Sequence, residues 1–366
     1  MKMTSREYQR CNRCVMDTTD PNIIFDENGI CNHCTEWFDV WETRIDKRPI
    51  EKVISEIKQN SPSRYDAIVG ISGGIDSGMV AYLAKKHDLN VLLLHVDDGW
   101  NTNEAKHNVK TIVEKTGFDF EHVHVDEEEF GDITLSYFKA GVQGLEAVTD
   151  HLIVATLHEV MDKYGIKTIL SGGNWATEGI MPLAWVYTQH DDKNIRSIHK
   201  KFGTIPLKNT KFLGILTKTW RLTRGGIKSY RLLNHINYNR EESIKKLVEE
   251  WGWADYGRKH QENIYTRFVE AYIFPRRFGF DFRLAYYSPL ICSGQKTREE
   301  ILELLKEPPF TDEEIAREKQ LFLKGMKITE EQFEEFMEMP IRSHDEFATH
   351  SRDQRIIGFM RKILRR

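Results

Sequence analysis

Residues 72–77 read Ser-Gly-Gly-Ile-Asp-Ser, a pair of glycines flanked by hydroxyl groups and a carboxylate. An apolar run precedes them and helical spacing follows over 76–87, so we predict a turn between a buried parallel strand and a helix. Backbone N–H groups and the positive helix end converge there, and glycine lets an anion approach closely. The turn lacks the Gly-Lys-Ser/Thr ending of a Walker loop and the third spaced glycine of a dinucleotide-binding motif. It therefore predicts another kind of phosphate site, or else an ordinary turn capped by Asp76 and Ser77.

A second group of reactive side chains lies near the start of the chain. Cys11, Cys14, Cys31 and Cys34 form two Cys-x-x-Cys pairs at the spacing of a four-thiolate zinc site. Four thiolates close the coordination shell, so we predict a structural zinc ribbon, with an iron–sulfur cluster or a redox pair as alternatives. The remaining cysteine, Cys292, lies in an apolar context typical of a small buried residue and has no partner cysteine in the sequence.

Composition sets bounds on the class of protein. The 366 residues suffice for one large or two ordinary domains, and the formal charge of −4 gives no general attraction for nucleic acid. No apolar run reaches transmembrane length and the first residues are polar, so we expect a cytoplasmic protein without a span or signal peptide.

Predicted strands and helices alternate along the middle of the chain. Apolar runs at 67–71, 91–96, 118–125 and 167–171 predict strands, with the third nearest a sheet edge, and helices are predicted between them. This pattern predicts the α/β class with a mostly parallel, twisted sheet and ligands at the carboxyl ends of the strands. We predict a zinc-ribbon segment at 1–45, an α/β nucleotide domain at 46–180, a substrate region at 181–305 and a helical C-terminal region at 306–366.

Two further strand ends carry polar residues. His95, Asp97 and Asp98 end the second predicted strand, and residues 171–179 after a later strand read Ser-Gly-Gly-Asn-Trp-Ala-Thr-Glu-Gly. Because the carboxyl ends of parallel strands meet at one edge, the sequence predicts three polar segments around one crevice.

Beyond residue 180 the periodicity is lost. Over 180–240 aromatic residues alternate with basic ones, which is compatible with nucleic acid, with a sugar linked to a nucleoside diphosphate, or with an insertion whose aromatics pack locally. Between 253 and 298 glycines, amides and cations form a second irregular block. Five of its cations are candidates to neutralise a pyrophosphate leaving group, namely Lys259, Arg276, Arg277, Lys296 and Arg298.

These motifs resemble those of known families. Ser-Gly-Gly-Ile-Asp-Ser resembles the loop of the ATP-pyrophosphatase (PP-loop) superfamily, whose members split ATP between the α and β phosphates and adenylate an oxygen. Together with the cysteine pairs, the segment from Ser171, Gly-Arg-Lys-His-Gln-Glu-Asn from Gly257 and Ser-Gly-Gln-Lys-Thr-Arg-Glu-Glu from Ser293, it resembles the N-acetyl sugar amidotransferases of O-antigen and flagellin pathways. The resemblance covers about 11–305.

The resemblance implies roles for individual residues. It places ATP at Ile71, Ser72, Gly73, Gly74, Asp76, Ser77, His95, Val96, Asp97, Gly172, Gly173, Asn174 and Glu178. It implies catalytic roles for Asp76, Ser72, Ser77, Lys259, Lys296 and Arg298, and substrate contacts for Trp175, Arg276, Arg277 and His260. It implies Zn²⁺ at Cys11, Cys14, Cys31 and Cys34, and Mg²⁺ at Asp76.

The implied reaction converts an acetamido group of a bacterial sugar, which we expect to be linked to a nucleotide, into an acetamidino group. AMP is transferred to the amide oxygen, ammonia attacks the carbon and AMP departs. A built-in glutaminase is not recognisable, so ammonia would come from a separate glutaminase and synthase pair resembling that of histidine biosynthesis. The alternatives are a tRNA thiolase, which would need a second cysteine near the ATP site, and a nucleotide-binding module without turnover.

The last part of the chain is charged and helical. Capping-box patterns at Thr311, Thr329 and Ser343 predict the starts of successive helices. Residues 352–366 form a basic amphipathic pattern, which we expect to pack on its own domain rather than on a membrane or partner protein.

Overall fold

The computed structural model describes residues 6–257 and 261–350. Within these residues one parallel sheet has the order β3-β2-β1-β4-β5. Its strands are β1 (Ala67–Gly70), β2 (Val91–Asp97), β3 (Asp119–His124), β4 (Thr168–Leu170) and β5 (Lys228–Tyr230). The predicted α/β class with a parallel sheet is confirmed.

Strand β1 lies at the centre of the sheet because its side chains are apolar on both faces. Ala67, Ile68 and Val69 are at most 1% exposed. The chain runs from β1 to β2 and β3 on one side, and returns to β4 and β5 on the other. The direction of winding therefore reverses beside β1, and ligands bind at this point in open parallel sheets.

The helices alternate with the strands and then continue alone to residue 338. In the described residues they are α1 (Asn32–Thr43), α2 (Ile50–Gln59), α3 (Ile75–Lys86), α4 (Asn103–Thr116), α5 (Glu127–Ala140), α6 (Ala147–Tyr164), α7 (Trp175–Glu178), α8 (Asp192–Phe202), α9 (Ile215–Thr223), α10 (Arg240–Trp251), α11 (Ile264–Phe268), α12 (Phe282–Cys292), α13 (Arg298–Leu304), α14 (Asp312–Met326) and α15 (Glu330–Glu338). A π-helix, Val269–Phe278, joins α11 to the segment before α12, and short 3₁₀ turns cover Leu232–His235 and His344–Glu346.

Capping interactions start the helices of the C-terminal region. The predicted capping boxes at Thr311, Thr329 and Ser343 are confirmed, and Thr297 starts α13 in the same way. The predicted basic helix at 352–366 lies outside the described residues. Among the residues that are described, we find no helix both long and apolar enough to cross a bilayer.

Two hydrophobic clusters contain most of the buried apolar side chains. One surrounds β1 and β2 and includes apolar residues of α2, α3 and α10. The larger one joins the four cysteines and Trp37 to α5, to the aromatic segment from Tyr265 to Phe282, and to α14 and α15. Apolar residues from both ends of the described chain therefore share one core, while the boundaries expected at 45, 180 and 305 stay a prediction.

The expectation of irregular structure over 180–240 is wrong. This segment contains α8, α9 and the edge strand β5. Helix α8 forms because Ile195 and Ile198 are buried one turn apart while its other face is polar. Strand β5 is short and half exposed, so it depends on its pairing with β4 rather than on a pattern of its own.

Candidate active site

The Ser-Gly-Gly-Ile-Asp-Ser segment forms the predicted turn at the end of β1. Gly74 is the N-cap of α3, and Gly73 has φ +81°, a conformation that favours glycine. A Cβ on Gly73 would stand 2.4 Å from the carbonyl oxygen of Ala105. The Gly74 N–H donates to Ser72 Oγ at 3.2 Å, and Ser77 Oγ donates to the Gly74 carbonyl at 3.0 Å. The loop is therefore narrow, and its conformation depends on glycine.

Asp76 lies in the first turn of α3, where the end of β4 also arrives. The hydroxyl of Tyr238 donates to Asp76 Oδ1, and Asn174 Nδ2 lies 3.5 Å from the same oxygen. Burial and the charge of Asp76 raise the pKa of Tyr238 well above its usual value, so the hydroxyl stays a donor. A Cβ on Gly172 would come within 3.2 Å of the Asp76–Ser77 backbone. Two of the predicted strand ends are thus brought together.

Glu262 occupies the open side of this loop. Its Oε1 lies 3.5 Å from Ser72 Oγ and 2.7 Å from the position that a Cβ on Gly74 would take. Its Oε2 is buried without a hydrogen-bond partner in the part of the chain that the structure describes. Burial and the charge of Glu262 raise the pKa of Tyr256, whose hydroxyl accepts from the Ile75 N–H at 3.1 Å. The Glu262 carboxylate therefore faces the backbone N–H groups that we predict to bind an anion.

A carboxylate beside an anion-binding loop fits a nucleotide only if a cation accompanies the phosphates. The Oε2 of Glu262, which has no partner among the described residues, and the carboxylate of Asp76 are oxygen donors of the kind that Mg²⁺ prefers. The loop thus fits a magnesium nucleotide, with these two side chains as the residues that would hold the cation. Glu262 belongs to the Gly-Arg-Lys-His-Gln-Glu-Asn motif from Gly257, but the sequence alone indicated no role for it.

The end of β2 is attached to the loop by a buried histidine. His95 Nδ1 donates to the carbonyl of Ile71 at 2.8 Å. Asp97 Oδ1 accepts from the Gly99 N–H at 3.0 Å and from Asn101 Nδ2 at 2.9 Å. Val96, between them, is half-buried. The third predicted polar strand end therefore lies beside the same loop.

The end of β4 is organised by side-chain caps. The Gly173 N–H donates to Ser171 Oγ at 3.1 Å, and Asn174 Oδ1 caps α7 by accepting from the Thr177 N–H at 2.8 Å. Glu178 Oε2 lies 3.4 Å from the Asn174 N–H. These contacts fix Asn174 where its amide reaches Asp76.

Trp175 connects this strand end to the N-terminal segment. Its indole N–H donates to the carbonyl of Trp37 at 2.9 Å, and the Trp37 indole donates back to the Trp175 carbonyl at 3.1 Å. The polar edge of Trp175 is therefore bonded within the protein. Contact of Trp175 with the substrate stays a prediction, and it concerns the face of the ring alone.

The predicted cations lie in different surroundings. Lys296 pairs with Glu241 at 2.7 Å, and Arg276 lies over the Tyr272 ring at 4.0 Å. Buried Arg277 donates to the carbonyls of Met337 and Met339. Desolvation lowers its pKa to about 10. Lys259 and His260 lie outside the described residues.

Arg298 takes a position that the sequence did not indicate. Its guanidinium donates to the carbonyls of Cys11 and Cys14, each at 3.0 Å. A half-buried guanidinium needs such acceptors, so Arg298 fixes the cysteine cluster here rather than pointing at a pyrophosphate. Similarly, Arg277 is held by backbone carbonyls near the end of α15, which leaves Arg276 as the exposed member of the pair.

The four N-terminal cysteines form a buried cluster. One sulfur from each of Cys11, Cys14, Cys31 and Cys34 lies within 4.8 Å of the others, an arrangement that could hold a metal ion. Cys11 Sγ accepts from the Cys31 N–H at 3.3 Å, a contact typical of thiolate ligands. The donor set therefore fits the predicted four-thiolate site, and zinc itself stays a proposal.

Cys292 has a neighbour that the sequence did not reveal. Its Sγ lies 3.9 Å from Cys34 Sγ, because the end of α12 packs on the cysteine cluster. Cys34 is itself one of the four clustered cysteines, so Cys292 gains a neighbour but no partner cysteine outside the cluster.

A cavity of about 180 Å³ opens between α10 and α12. Aromatic and polar side chains line it, among them Tyr286, Tyr287, Gln295 and Lys296. Thr177, which Asn174 caps, and Gly257, next to Tyr256, also line this cavity. The cavity therefore lies next to residues that contact and position the loop.

Two segments of the chain match known family models. Residues 66–156, which contain β1, the loop, β2 and β3, match queuosine biosynthesis protein QueC. Fold, loop and match together support a PP-loop protein of an ATP-using type. Residues 262–363 match the C-terminal domain of LPS biosynthesis protein WbpG-like proteins. The two matches together support an amidotransferase-type member of the PP-loop superfamily.

Curated relatives and solved structures show weaker similarity. The chain is 20% identical over 233 residues to a probable mitochondrial tRNA-specific 2-thiouridylase 1 of Caenorhabditis elegans, covering 57% of this chain and 59% of that protein. It is 24% identical over 140 residues to the tRNA-specific 2-thiouridylase MnmA 2 of Fusobacterium nucleatum, covering 36% and 39%. The chain thus spans less than two thirds of either relative.

Similar solved structures come from three organisms. They are the NH3-dependent NAD synthetase of Campylobacter jejuni (TM-score 0.31, 13% identity, 84% of this chain and 99% of that one), the NMN synthetase of Francisella tularensis (0.37, 12%, 80% and 95%) and the U34-tRNA thiolase NcsA of Methanococcus maripaludis with its [4Fe-4S] cluster (0.35, 13%, 82% and 89%).

Proposed function

We propose that this chain is an ATP-dependent amidotransferase that converts the acetamido group of an N-acetyl sugar, linked to a nucleotide by analogy with the resembled family, into an acetamidino group. The observation that carries the proposal is the position of Glu262. It is the first residue of the WbpG-like segment, and its Oε1 lies 3.5 Å from Ser72 Oγ of the predicted phosphate loop. Its neighbour Asn263 donates to Asp98 at the end of β2 at 3.0 Å. The segment similar to a polysaccharide-biosynthesis protein therefore helps to build the candidate ATP site.

The chemistry explains why such a site is needed. An amide oxygen is a poor leaving group, so it must be activated before nitrogen can replace it. The amide oxygen attacks the α-phosphorus of ATP, the bond to the β-phosphate oxygen breaks, and pyrophosphate leaves. Ammonia then adds to the carbon, loses protons, and the C–O bond breaks as AMP departs with the original oxygen. The product is an amidine, AMP and pyrophosphate.

The chain's residues would act mainly by positioning and by stabilising charge. Backbone N–H groups of 73–77, with the hydroxyls of Ser72 and Ser77, would bind the β and γ phosphates. Asp76 and Glu262 would hold Mg²⁺, which offsets charge on the departing pyrophosphate. Tyr238 and Asn174 would keep the Asp76 carboxylate in place. No covalent intermediate with the protein is required.

The sugar would enter the cavity between α10 and α12. Tyr286 and Tyr287 offer ring faces of the kind that pack on sugars, and Lys296 offers hydrogen-bond donors. Lys296 is held by Glu241, so its ammonium is oriented in this wall. The identity of the sugar and its carrier would be set by this lining.

Ammonia would come from a separate glutaminase and synthase pair. Cys292 is the one cysteine outside the cluster, and it lies against Cys34. That position makes it a poor candidate for the nucleophile of a glutaminase, which needs an adjacent base. We propose that the reaction takes place in the cytoplasm, where nucleotide sugars and ATP are available.

A second candidate function is tRNA thiolation. Two tRNA thiouridylases are among the relatives, and Cys292 lies beside Cys34 in a position where two sulfurs could cooperate. The net charge of −4 gives this candidate no general support, because tRNA binding relies on positive surface.

Pyrophosphate release separates the two functions. Purified full-length protein with ATP, Mg²⁺ and ammonium salts should release pyrophosphate with one of a panel of nucleotide-linked N-acetyl sugars, and mass spectrometry should show oxygen replaced by NH. Asp76→Ala and Ser72→Ala should abolish release, while Ser55→Ala on α2 should leave it unchanged. Release with bulk tRNA alone would reject the amidotransferase in favour of the thiolase.

A further inference from the structure

Three histidines and an aspartate lie on one face of the sheet at the ends of β2 and β3. In the register of these strands His95 pairs with His122, and Asp97 pairs with His124. Paired residues of neighbouring strands share a face, as do residues two apart along one strand. All four side chains therefore project from the same patch, which we call the histidine patch.

The distances within the histidine patch are short. Asp97 Oδ2 lies 3.4 Å from His122 Nε2 and 3.6 Å from His124 Nδ1. The ring centroids of His95 and His122 are 5.2 Å apart, and those of His122 and His124 are 4.1 Å apart. One possible ligand atom from each of His95, Asp97 and His122 lies within 4.8 Å of the others. Small side-chain movements would bring these atoms around one ion.

Contacts behind the histidine patch orient two of these donors. His95 Nδ1 is engaged by the Ile71 carbonyl, so Nε2 is the nitrogen that carries the lone pair, with Asn101 Nδ2 at 3.4 Å. Asp97 Oδ1 is held by Gly99 and Asn101, which leaves Oδ2 toward the histidines. A ligating histidine whose other nitrogen donates to a backbone carbonyl is the usual arrangement around protein-bound metals.

We propose that His95, Asp97 and His122 bind a divalent transition-metal ion of the Zn²⁺ type, with His124 as an additional ligand. Two imidazoles and a carboxylate favour such an ion over Mg²⁺, which prefers oxygen ligands. His95, Asp97 and His122 supply three ligands, so a fourth position remains that His124, water or another ligand can take. The side chains of His122 and His124 are 39% and 68% exposed, so that position opens to solvent. This site is distinct from the cysteine cluster, and it does not rest on the proposed function.

Cadmium-113 NMR of the full-length protein tests this inference, because nitrogen and oxygen ligands give resonances well separated from those of four thiolates. We expect the wild-type protein to show one resonance of each kind, and elemental analysis after equilibration with Zn²⁺ and dialysis to give two ions per chain. Asp97→Asn and His122→Asn should lose only the nitrogen–oxygen resonance, with at least tenfold weaker binding of the second Zn²⁺. His87→Asn, at the end of α3, should keep both resonances.

Two outcomes would overturn the inference. The first is a wild-type protein with only the four-thiolate resonance at saturating metal. The second is a second ion that survives in both patch variants. Circular dichroism of each variant checks folding, and His124→Asn supplies a more exposed substitution that should weaken the second site while the thiolate site persists. Failure here leaves the pyrophosphate-release experiment unaffected, because the metal-binding measurements contain neither ATP nor sugar.

Discussion

The cysteine cluster and the loop after β1 are both built from short polar motifs, yet their surroundings are opposite. The four cysteines are fully buried, Cys11 Sγ accepts backbone N–H groups, and Arg298 covers the outer carbonyls. At the loop Ser72 is exposed, and Glu262 Oε2 is buried without a partner among the described residues. In the cysteine cluster the polar groups are paired within the protein, so this closed shell needs only a metal ion and stabilises the fold. At the loop the shell of partners is incomplete, so groups from outside the protein must complete it, as a substrate site requires.

Cys31→Ser should have the largest effect, because it opens the closed shell. A structural zinc site contributes on the order of 10 kcal/mol to folding in small zinc-binding peptides. We expect loss of bound metal and a much lower melting temperature, measured by elemental analysis and thermal unfolding. Cys292→Ser is the matched control, since its sulfur lies 3.9 Å from Cys34 but outside the four-sulfur cluster. Equal melting temperatures for Cys31→Ser and the wild type would show that the cluster is not structural.

Gly73→Ala should have the next largest effect, this time at the loop. Its φ of +81° costs alanine about 1–2 kcal/mol, and the added Cβ would stand 2.4 Å from a backbone oxygen. We expect ATP binding, measured by calorimetry, to weaken by at least tenfold. Gly117→Ala carries the same kind of left-handed strain at φ +69° but meets open space. That control should lose stability alone, and a loss of ATP affinity there would contradict the assignment.

Glu262→Gln tests whether the incomplete shell needs a cation. Without Mg²⁺ the carboxylate repels the phosphates, so the variant should bind ATP about tenfold more tightly than the wild type, a difference of about 1.4 kcal/mol. With Mg²⁺ the order should reverse, because the wild type gains a ligand to the ion. Dissociation constants measured with and without Mg²⁺ give both comparisons. Identical Mg²⁺ dependence in the two proteins would remove Glu262 from the cation site.

Trp175→Phe should have the smallest effect and tests whether the two regions are coupled. The variant keeps a ring but removes the N–H that donates to Trp37, which should cost about 1 kcal/mol of unfolding free energy. We expect a modest loss of ATP affinity as well, because Trp175 follows the Asn174 that contacts Asp76. Trp220→Phe, at a 60% exposed position, is the control. Unchanged ATP affinity in a destabilised Trp175→Phe protein would show that the regions are independent.

The centre of the sheet could be predicted from the sequence because its strands are apolar on both faces. The loop glycines and the cysteine pairs were also recognisable, since their chemistry lies within short segments. Strand β5 could not be predicted, because the exposed Lys228 and Ser229 give no pattern and the strand exists only through pairing with β4.

The partners of charged side chains were the least predictable part of the site. Arg298 was expected near a pyrophosphate, but its acceptor in Cys11 lies 287 residues earlier in the chain. Glu262 was visible only as one acid within a mixed motif, and its place at Ser72 depends on a contact across 190 residues. Spacing in the sequence reports local geometry, whereas these contacts depend on how distant elements pack.

The reciprocal bonds between Trp37 and Trp175 predict an order of maturation for the protein. Helix α1 begins at the last cysteine pair, so a chain without the proposed zinc has less support behind Trp37. We therefore expect newly made chains in metal-starved cells to accumulate as a precursor that cannot use nucleotide, and added metal, rather than added ATP, to restore them.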